Sequence, residues 1–548
     1  MAIHVRDAVE DDVAAIREIF QSCYGGEYPY QQFLDPQCLK KLVFADDTVL
    51  LVAEDDANGR VIGTASVVLD IGAWGDLVAE FGRLAVHAEA RGRGVGRLLM
   101  QGRIDRVRDR IHVGIVENRV AHPFSQRISG ENGFVPVGFL PLKLKFQKRE
   151  SVALFVQHFG DAVALRRNHP RIIPEVYPIA ERALSNCGMR CDLIVETGAV
   201  PYPHLEDYEL QQLTTRGYAT LLRFQRGRVH QREVFGPVRL HYGLFQIRAR
   251  NSHYLLALSD GQVVGGVGVM IDEYERSVRI FELITLDERP VRFLLSAVER
   301  ACRTDWNVDY VEVDVNAHSP RMQQTLLQLG FHPVGYVPAM AFHDVERFDV
   351  VKMARLNATA PDRDAALVPE AKPFASLVLD GLERHDVMPR VAAALPQIGV
   401  FRGMTDEQSE VVASVCTVTE FAAGTRIYQQ GHPSSRLYLV LEGRIDVQVG
   451  ADFRKVGSAE AGECLGEMSL LSQPCHSATA VAGSPVTAAV LSHEKLREVV
   501  DRRPDIGVIV YRNLAEGLGQ KLRRLDETVT GRPVAAPAGQ VSSWEEMQ

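Results

Sequence analysis

The chain has 548 residues, of which 46% are hydrophobic and 24% charged, a composition that buries cores and excludes a disordered chain. At about 150 residues per domain, that length predicts three or four domains. The 61 Lys and Arg set against 70 Asp and Glu leave a formal charge of −9, which excludes long-range attraction to nucleic acid or an anionic membrane as the main work of the chain.

The N-terminus, Met1-Ala2-Ile3-His4-Val5-Arg6-Asp7, reaches acidic residues before any apolar stretch of signal-peptide length. No later segment approaches the roughly 20 apolar residues of a spanning helix, so a cytoplasmic protein without membrane contact is expected. The eight cysteines are too scattered for a disulfide scaffold, and Cys187 and Cys191 lack a second Cys or His pair. They are read as reduced, buried thiols, with no metal site.

In the first 150 residues, Leu50-Leu51-Val52-Ala53 and Val61 to Leu69 flank Asn58-Gly59, a hairpin signal. Glu80-Phe81-Gly82-Arg83-Leu84-Ala85-Val86 is a strand, and Arg91 to Met100 is a glycine-rich turn running into a helix. Such a turn makes an anion site. Glycines let a ligand approach the backbone, and the N–H groups and positive dipole end of the helix favour a pyrophosphate. A dinucleotide fingerprint would need Gly or Ala at position 99, where Leu99 stands.

Strand, Arg-x-x-Gly-x-Gly and helix together resemble the acyl-coenzyme A signature of the GNAT acetyltransferase superfamily, and the hairpin and Gly133-Phe134 are similar to its flanking elements. The resemblance spans roughly residues 1–145. It implies that backbone groups of Leu84, Ala85 and Val86 hold the pantetheine and acyl carbonyl of acetyl-coenzyme A. It also implies that Arg91, Gly92, Arg93, Gly94, Val95, Gly96 and Arg97 take the pyrophosphate. Glu80 matches the position of the general base in many members, or is a solvent-facing strand carboxylate. Many members carry a Tyr four residues before the Gly-Phe pair, but Ser129 stands there. Ser129, His122 or water is left to protonate the leaving thiolate.

Residues 151–239 are expected to connect domains, opening with an apolar helical pattern. Their basic stretch Leu222 to Arg232 is taken as a solvated strand-and-turn face rather than an RNA or phosphate contact. The front of the chain then repeats: Tyr254-Leu255-Leu256-Ala257, Asp260-Gly261 and Val263 to Met270 echo the hairpin, and Gly330-Phe331 echoes Gly133-Phe134. Residues 240–355 therefore form a second, degenerate GNAT-like domain. After Phe281 to Leu286 comes Asp287-Glu288-Arg289-Pro290-Val291-Arg292, with no glycine to cradle a pyrophosphate. Its role is to shape the acceptor cleft or make an interface, the alternative being a retained site that relies on Arg289 and Arg292. Residues 356–394, opening with the polar run Asn357 to Asp364, are expected to be a linker.

Residues 395–526 are dense in short strands and glycines, the mark of an antiparallel barrel or jelly roll, and close with a helix near 505–526. Gly466-Glu467-Met468-Ser469 to Cys475-His476-Ser477-Ala478-Thr479 resembles the phosphate-binding cassette of cyclic nucleotide-binding domains. The resemblance implies that Glu467 accepts from a ribose hydroxyl while Gly466, Met468 and Ser469 line the cassette beside His476 and Ser477. His476 stands where the family usually has an Arg. A His makes one hydrogen bond and is half neutral near pH 6.5, so the domain is either a weakened nucleotide sensor or an assembly module. About 20 low-complexity residues, 527–548, are read as a disordered tail too short for a DNA-binding helix-turn-helix.

The expected fold is thus two GNAT-like mixed-sheet α/β domains followed by a cyclic nucleotide-binding β jelly roll with flanking helices. The expected activity is acetyl transfer from acetyl-coenzyme A to an amine, on a protein lysine or a small molecule, with cyclic AMP or another cyclic nucleotide as effector. DNA and membranes are not expected partners, and a homo-oligomer is compatible with the sequence. The alternative is a non-catalytic coenzyme A or nucleotide sensor or scaffold.

Overall fold

The computed structural model describes residues 3–25, 28, 33–70, 77–205, 207–213, 233–235, 252–343, 345–357, 365–413, 415–450, 452–470 and 475–530. The basic stretch at 222–232 and the tail from 531 lie outside them. The chain divides into two units, Met1–Gly381 and Leu382–Gln548.

The first unit opens with β1 (Ile3–Asp7), α1 (Val13–Tyr24), α2 (Pro36–Val43), β2 (Thr48–Asp55), β3 (Arg60–Asp70) and β4 (Val78–Val86). Then come α3 (Val95–Val107), β5 (Val113–Arg119), α4 (Phe124–Glu131), β6 (Val135–Lys145) and β7 (Arg149–His158). Gly59 at φ 67° turns the β2–β3 hairpin, and Gly133 at φ 90° ends α4 so that Phe134 enters the core. The apolar run Ser151 to Val156 is a strand, not the expected helix. β7 pairs with both β5 and β6, and a strand buried between neighbours reads as continuous apolar sequence.

The middle segment supplies β8 (Arg171–Ile172), α5 (Tyr177–Asn186), β9 (Ile194–Val195), β10 (Glu209–Gln212) and β11 (Val234–Phe235). Next come β12 (Ser252–Ser259), β13 (Gln262–Asp272), β14 (Ser277–Thr285), α6 (Val291–Thr304), β15 (Tyr310–Asn316), α7 (Pro320–Gln328), β16 (His332–His343) and β17 (Glu346–Leu356). Asp260 and Gly261, both at positive φ, make the two-residue β12–β13 turn.

All these strands except β8 and β9 join one 15-stranded sheet in the order β1-β2-β3-β4-β5-β7-β6-β16-β17-β15-β14-β13-β12-β10, with β11 paired to β15. Outward from the β6–β16 junction the two halves run in the same succession, with β10 in the place of β1. β6 and β16 pair at Gly138 and Gly335. A Cβ on Gly138 would lie 2.7 Å from both Gly335 Cα and Val334 O, so only glycine lets the halves join there.

The expected linker 356–394 is largely ordered. Gln126 of α4 donates to the Ala366 carbonyl at 2.9 Å and accepts from Val368 N at 3.0 Å. Helix α8 (Lys372–Ala394) comes next and crosses into the second unit. Ala371, Phe374, Ala375, Val378, Leu379 and Leu382 are buried at helical spacing, a period that the polar run before them obscured.

The second unit holds α9 (Asp406–Ala413), β18 (Thr417–Phe421), β19 (Arg426–Tyr428), β20 (Arg436–Glu442), β21 (Arg444–Val449), β22 (Arg454–Glu460), β23 (Cys464–Leu465), β24 (Thr479–Ala482), β25 (Val486–Ser492), α10 (His493–Arg502) and α11 (Pro504–Thr530). Its strands form two four-stranded sheets, β18-β25-β20-β23 and β19-β24-β21-β22, sharing a core of Val440, Ile445, Ala480, Ala482 and Ala488. Ile506, Val510 and Leu514 of α11 pack with Leu437, Leu439 and Leu491 in a second core.

Among the described residues no helix is long and apolar enough to cross a membrane, and no cluster of His, Cys, Asp and Glu could hold a metal. All eight cysteines are free. Cys302 and Cys416 are buried, whereas Cys191 is exposed, contrary to expectation.

Candidate functional site

In the first half, β4 and β5 run parallel and pair only at Val78↔Val113, Ala79↔Gly114 and Glu80↔Ile115. Beyond Glu80 the strands part. The β3–β4 register passes from Ser66↔Gly82 to Thr64↔Ala85, so Arg83 and Leu84 together face Ala65, with Arg83 at φ 56°. Such a bulge bends the strand and re-aims the residues beyond it. The edge of Leu84, Ala85 and Val86 that faces away from β3 consequently has no ladder partner among the described residues. At its end the Cys23 thiol donates to Val86 O at 3.3 Å.

The chain then turns through Arg91-Gly92-Arg93-Gly94, with Gly92 at φ 78° and Gly94 at φ 81°, and enters α3 with Gly94 as its cap. The first-turn amides of Val95, Gly96 and Arg97 have no intrahelical acceptor. A Cβ on Gly92 or Gly94 would meet nothing within 4 Å, so these glycines serve the left-handed backbone and leave open space before it. Gly96 serves packing: a Cβ there would sit 2.9 Å from Ile128 of α4. Val95 is buried against Gly63. Arg91 and Arg97 are exposed, while Arg93 pairs with Asp55 at 2.8 Å and holds that carboxyl below its usual range.

Successive β4 residues point to opposite faces. Phe81 meets Arg103 of α3 and Phe134 on one side. Glu80 lies on the other, its side chain 39% exposed and its Oε1 accepting from Arg83 Nη2 at 2.8 Å. This second face carries a wall that sequence reasoning missed. Tyr28, 4.7 Å from Tyr24 between ring centroids, is buried, and burial pushes its hydroxyl pKa well up. Arg83 lies over Phe33 at 5.8 Å, and Arg119 lies 4.0 Å over Phe146 and forks onto Glu150 at 2.9 and 2.7 Å. The i, i+4 spacing of Phe20 and Tyr24 on α1 was the available signal.

Ser129 is buried and donates to Asn118 Oδ1 at 3.1 Å. Asn118 Nδ2, also buried, has no partner among the described residues, an amide donor that sequence reasoning missed as well. His122 is exposed, its ring against Phe124. Neither Ser129 nor His122 is joined to Glu80 by a contact among the described residues.

The second half answers each feature differently. β14 and β15 start pairing at Ser277↔Tyr310, as β4 and β5 do at Val78↔Val113, so Arg279↔Glu312 takes the register of Glu80↔Ile115. Arg279 is paired with Asp314 at 2.8 Å. The gap where β14 and β15 part is filled by the chain itself: β11 pairs with β15 at Val234↔Val315 and Phe235↔Asp314. Asn316 N donates to Glu233 O, and the Glu233 carboxylate accepts from Tyr202 at 2.9 Å. Arg289 pairs with Asp287 at 2.7 Å, and Arg292 donates to Gln328 at 2.5 Å.

In the second unit, Gly466 at φ 91° leads into a 3-10 turn, Glu467–Leu470, that includes Met468 and Ser469. Glu467 is half-buried and Ser477 exposed. The His476 ring stacks on Tyr428, centroids 3.8 Å apart and 9° from parallel. His476 N donates to His432 O and its carbonyl accepts from Gly431 N, both at 2.9 Å. Burial, and then His432, push its pKa below the usual histidine value, which favours the neutral ring.

The family model for the acetyltransferase (GNAT) family matches residues 13–130, and that for the cyclic nucleotide-binding domain matches 418–503. A cyclic AMP receptor protein of Thermus thermophilus is 31% identical over 130 residues, 23% of this chain and 58% of that protein. A cGMP-dependent protein kinase of Plasmodium berghei is 26% identical over 120 residues, 22% of this chain and 13% of the kinase. The chain thus spans little more than half of one curated relative and a small part of the other. Among solved structures, the N-terminal domain of a transcriptional regulator from Streptomyces coelicolor is 27% identical, with a TM-score of 0.22, covering 23% of this chain and 94% of that one. The Thermus thermophilus catabolite activator protein is 29% identical, with a TM-score of 0.22, covering 24% and 62%. The two family-model matches place a GNAT-family acetyltransferase domain in the N-terminal part of this chain and a cyclic nucleotide-binding domain in its C-terminal part.

Proposed function

We propose that the first half of the first unit moves an acetyl group from acetyl-coenzyme A to an amine, on a protein lysine or a small molecule. The observation that carries this is the edge of Leu84 to Val86, which has no ladder partner among the described residues, running directly into the Gly92–Gly94 turn and the start of α3. An open strand edge can bond an extended pantetheine as it would another strand, and the helix start with Arg91 and Arg97 suits a pyrophosphate. Asn118 Nδ2 adds a buried donor beside the gap. Acetyl-coenzyme A supplies the thioester that an amine can attack. Glu80, oriented by Arg83, takes the ammonium proton of the acceptor, and the Tyr24, Tyr28, Phe33 and Phe146 wall excludes water beside it. Ser129 is engaged with Asn118 and His122 stands in solvent, so water protonates the departing thiolate.

The second half serves as a non-catalytic copy of the same domain. It has Arg279 in the register of Glu80, β11 in the gap, and no glycine between Asp287 and Arg292. The C-terminal domain regulates or assembles the enzyme, with cyclic AMP or another cyclic nucleotide as effector.

Calorimetric titration of acetyl-coenzyme A into the full chain tests this. One site per chain, lost in Gly94→Val, is the expected result. Two sites would overturn the account of the second half, and none would overturn the cofactor site. Binding without transfer to any amine would leave a coenzyme A sensor or scaffold.

A further inference from the structure

Arg103 of α3 is 2% exposed, and among the described residues no carboxylate pairs with it. Its Nη1 donates to Ser66 O at 3.2 Å and Gly82 O at 3.0 Å, its Nη2 approaches Met100 Sδ at 3.0 Å, and its guanidinium lies 5.5 Å over the Phe81 ring. Nε has no partner. Burying a guanidinium without a counter-ion is costly, so an apolar side chain would suit the fold better. Burial, with Arg83 nearby, lowers its pKa to about 9, which leaves it charged at neutral pH.

What the guanidinium holds explains its presence. Ser66↔Gly82 is the last cross-strand pair before the bulge, and Nη1 bridges the carbonyls of both its members. On the far side of that pair stand Arg83, which orients Glu80, and the open edge that begins at Leu84. We infer that Arg103 is a positioning residue: it staples the pair from which the bulge departs, and so sets where Glu80 and the coenzyme A-binding edge stand. This rests on the acetyltransferase function proposed above.

The experiment compares Arg103→Met and Arg103→Lys with the full-length wild type in thermal melts, acetyl-coenzyme A calorimetry and steady-state kinetics. Replacing a buried charge by an apolar group of similar volume tends to leave stability unchanged or raised. Arg103→Met is therefore expected to keep or raise the melting temperature while kcat/KM falls at least about tenfold, as misplaced reacting groups require. The loss should divide between weaker acetyl-coenzyme A binding and lower kcat, and Arg103→Lys should recover part of both. Unchanged affinity and kcat in Arg103→Met, with wild-type binding intact, would overturn the positioning role alone. So would an Arg103→Lys variant that recovers neither affinity nor kcat. Absence of binding in the wild type would instead defeat the acetyltransferase function, and this role with it.

Discussion

Glu80 sits on the last residue pair that β4 and β5 share, where the strands begin to part, and Arg83 holds its carboxylate from within the bulge. A general base contributes about 10²- to 10⁴-fold, so in the role proposed for Glu80, Glu80→Gln should lower kcat by that order while acetyl-coenzyme A affinity stays within about twofold. Stopped-time acetylation assays and calorimetry check the two arms. Glu275, in the turn between β13 and β14, is a different kind of carboxyl. It is 6% exposed, its Oε1 has no hydrogen-bond partner among the described residues, and burial followed by Asp272 pushes its pKa to about 8. Unfolded, the same carboxyl titrates near pH 4.3, roughly. Its raised folded pKa means the folded chain holds the proton more tightly. The carboxyl is therefore harmless below the unfolded pKa, costs increasing stability as pH rises toward about 8, and costs no more beyond it. Glu275→Gln should thus raise the melting temperature more at pH 8.5 than at pH 5, in melts across that range.

At the scale of elements, the glycine pair of β6 and β16 is the most exacting contact. Gly138→Ala would set a Cβ against the Val334–Gly335 backbone of β16, so the junction must part, at a cost of about 1–3 kcal/mol. Gly130→Ala in α4 meets open space and should be neutral or slightly stabilising. Paired thermal melts of the two variants test this. The hairpin turns were legible in the sequence because each is a local demand for positive φ, whereas Gly133 and Gly330, read there only as matched landmarks, proved to meet the same demand at helix ends. The identity of β7 was not, because a short apolar run reads alike as a buried strand or a buried helix, and only pairing on both edges settles it. Helix α8 was missed for the opposite reason, a polar run having drawn more weight than the 3.6-residue period after it.

At the scale of the whole molecule, one GNAT-family domain and one cyclic nucleotide-binding domain flank a half that has the sheet order of the first without its ligand features. In the cyclic nucleotide-binding domain, His476 stacks on Tyr428, and on the proposed reading it takes the place of the Arg that would meet a cyclic phosphate. An Arg offers a bidentate, charge-assisted fork, so His476→Arg should raise cyclic AMP affinity by about tenfold or more if the cassette still takes a nucleotide. Calorimetry on the full chain measures it, and unchanged affinity would mark the domain as an assembly module.

The Arg91 to Arg97 turn, the Gly466 cassette and the paired landmarks of the repeat were determined by the sequence itself, since each is a short-range pattern whose backbone geometry its own residues enforce. Four features belong to the tertiary structure alone: the bulge at Arg83, Arg103 beneath it, β11 lying in the second gap, and Arg279 standing in the register of Glu80. Each depends on strand register or on residues far apart in the chain, and a one-residue shift in register, invisible to composition and spacing, would turn every such side chain to the other face.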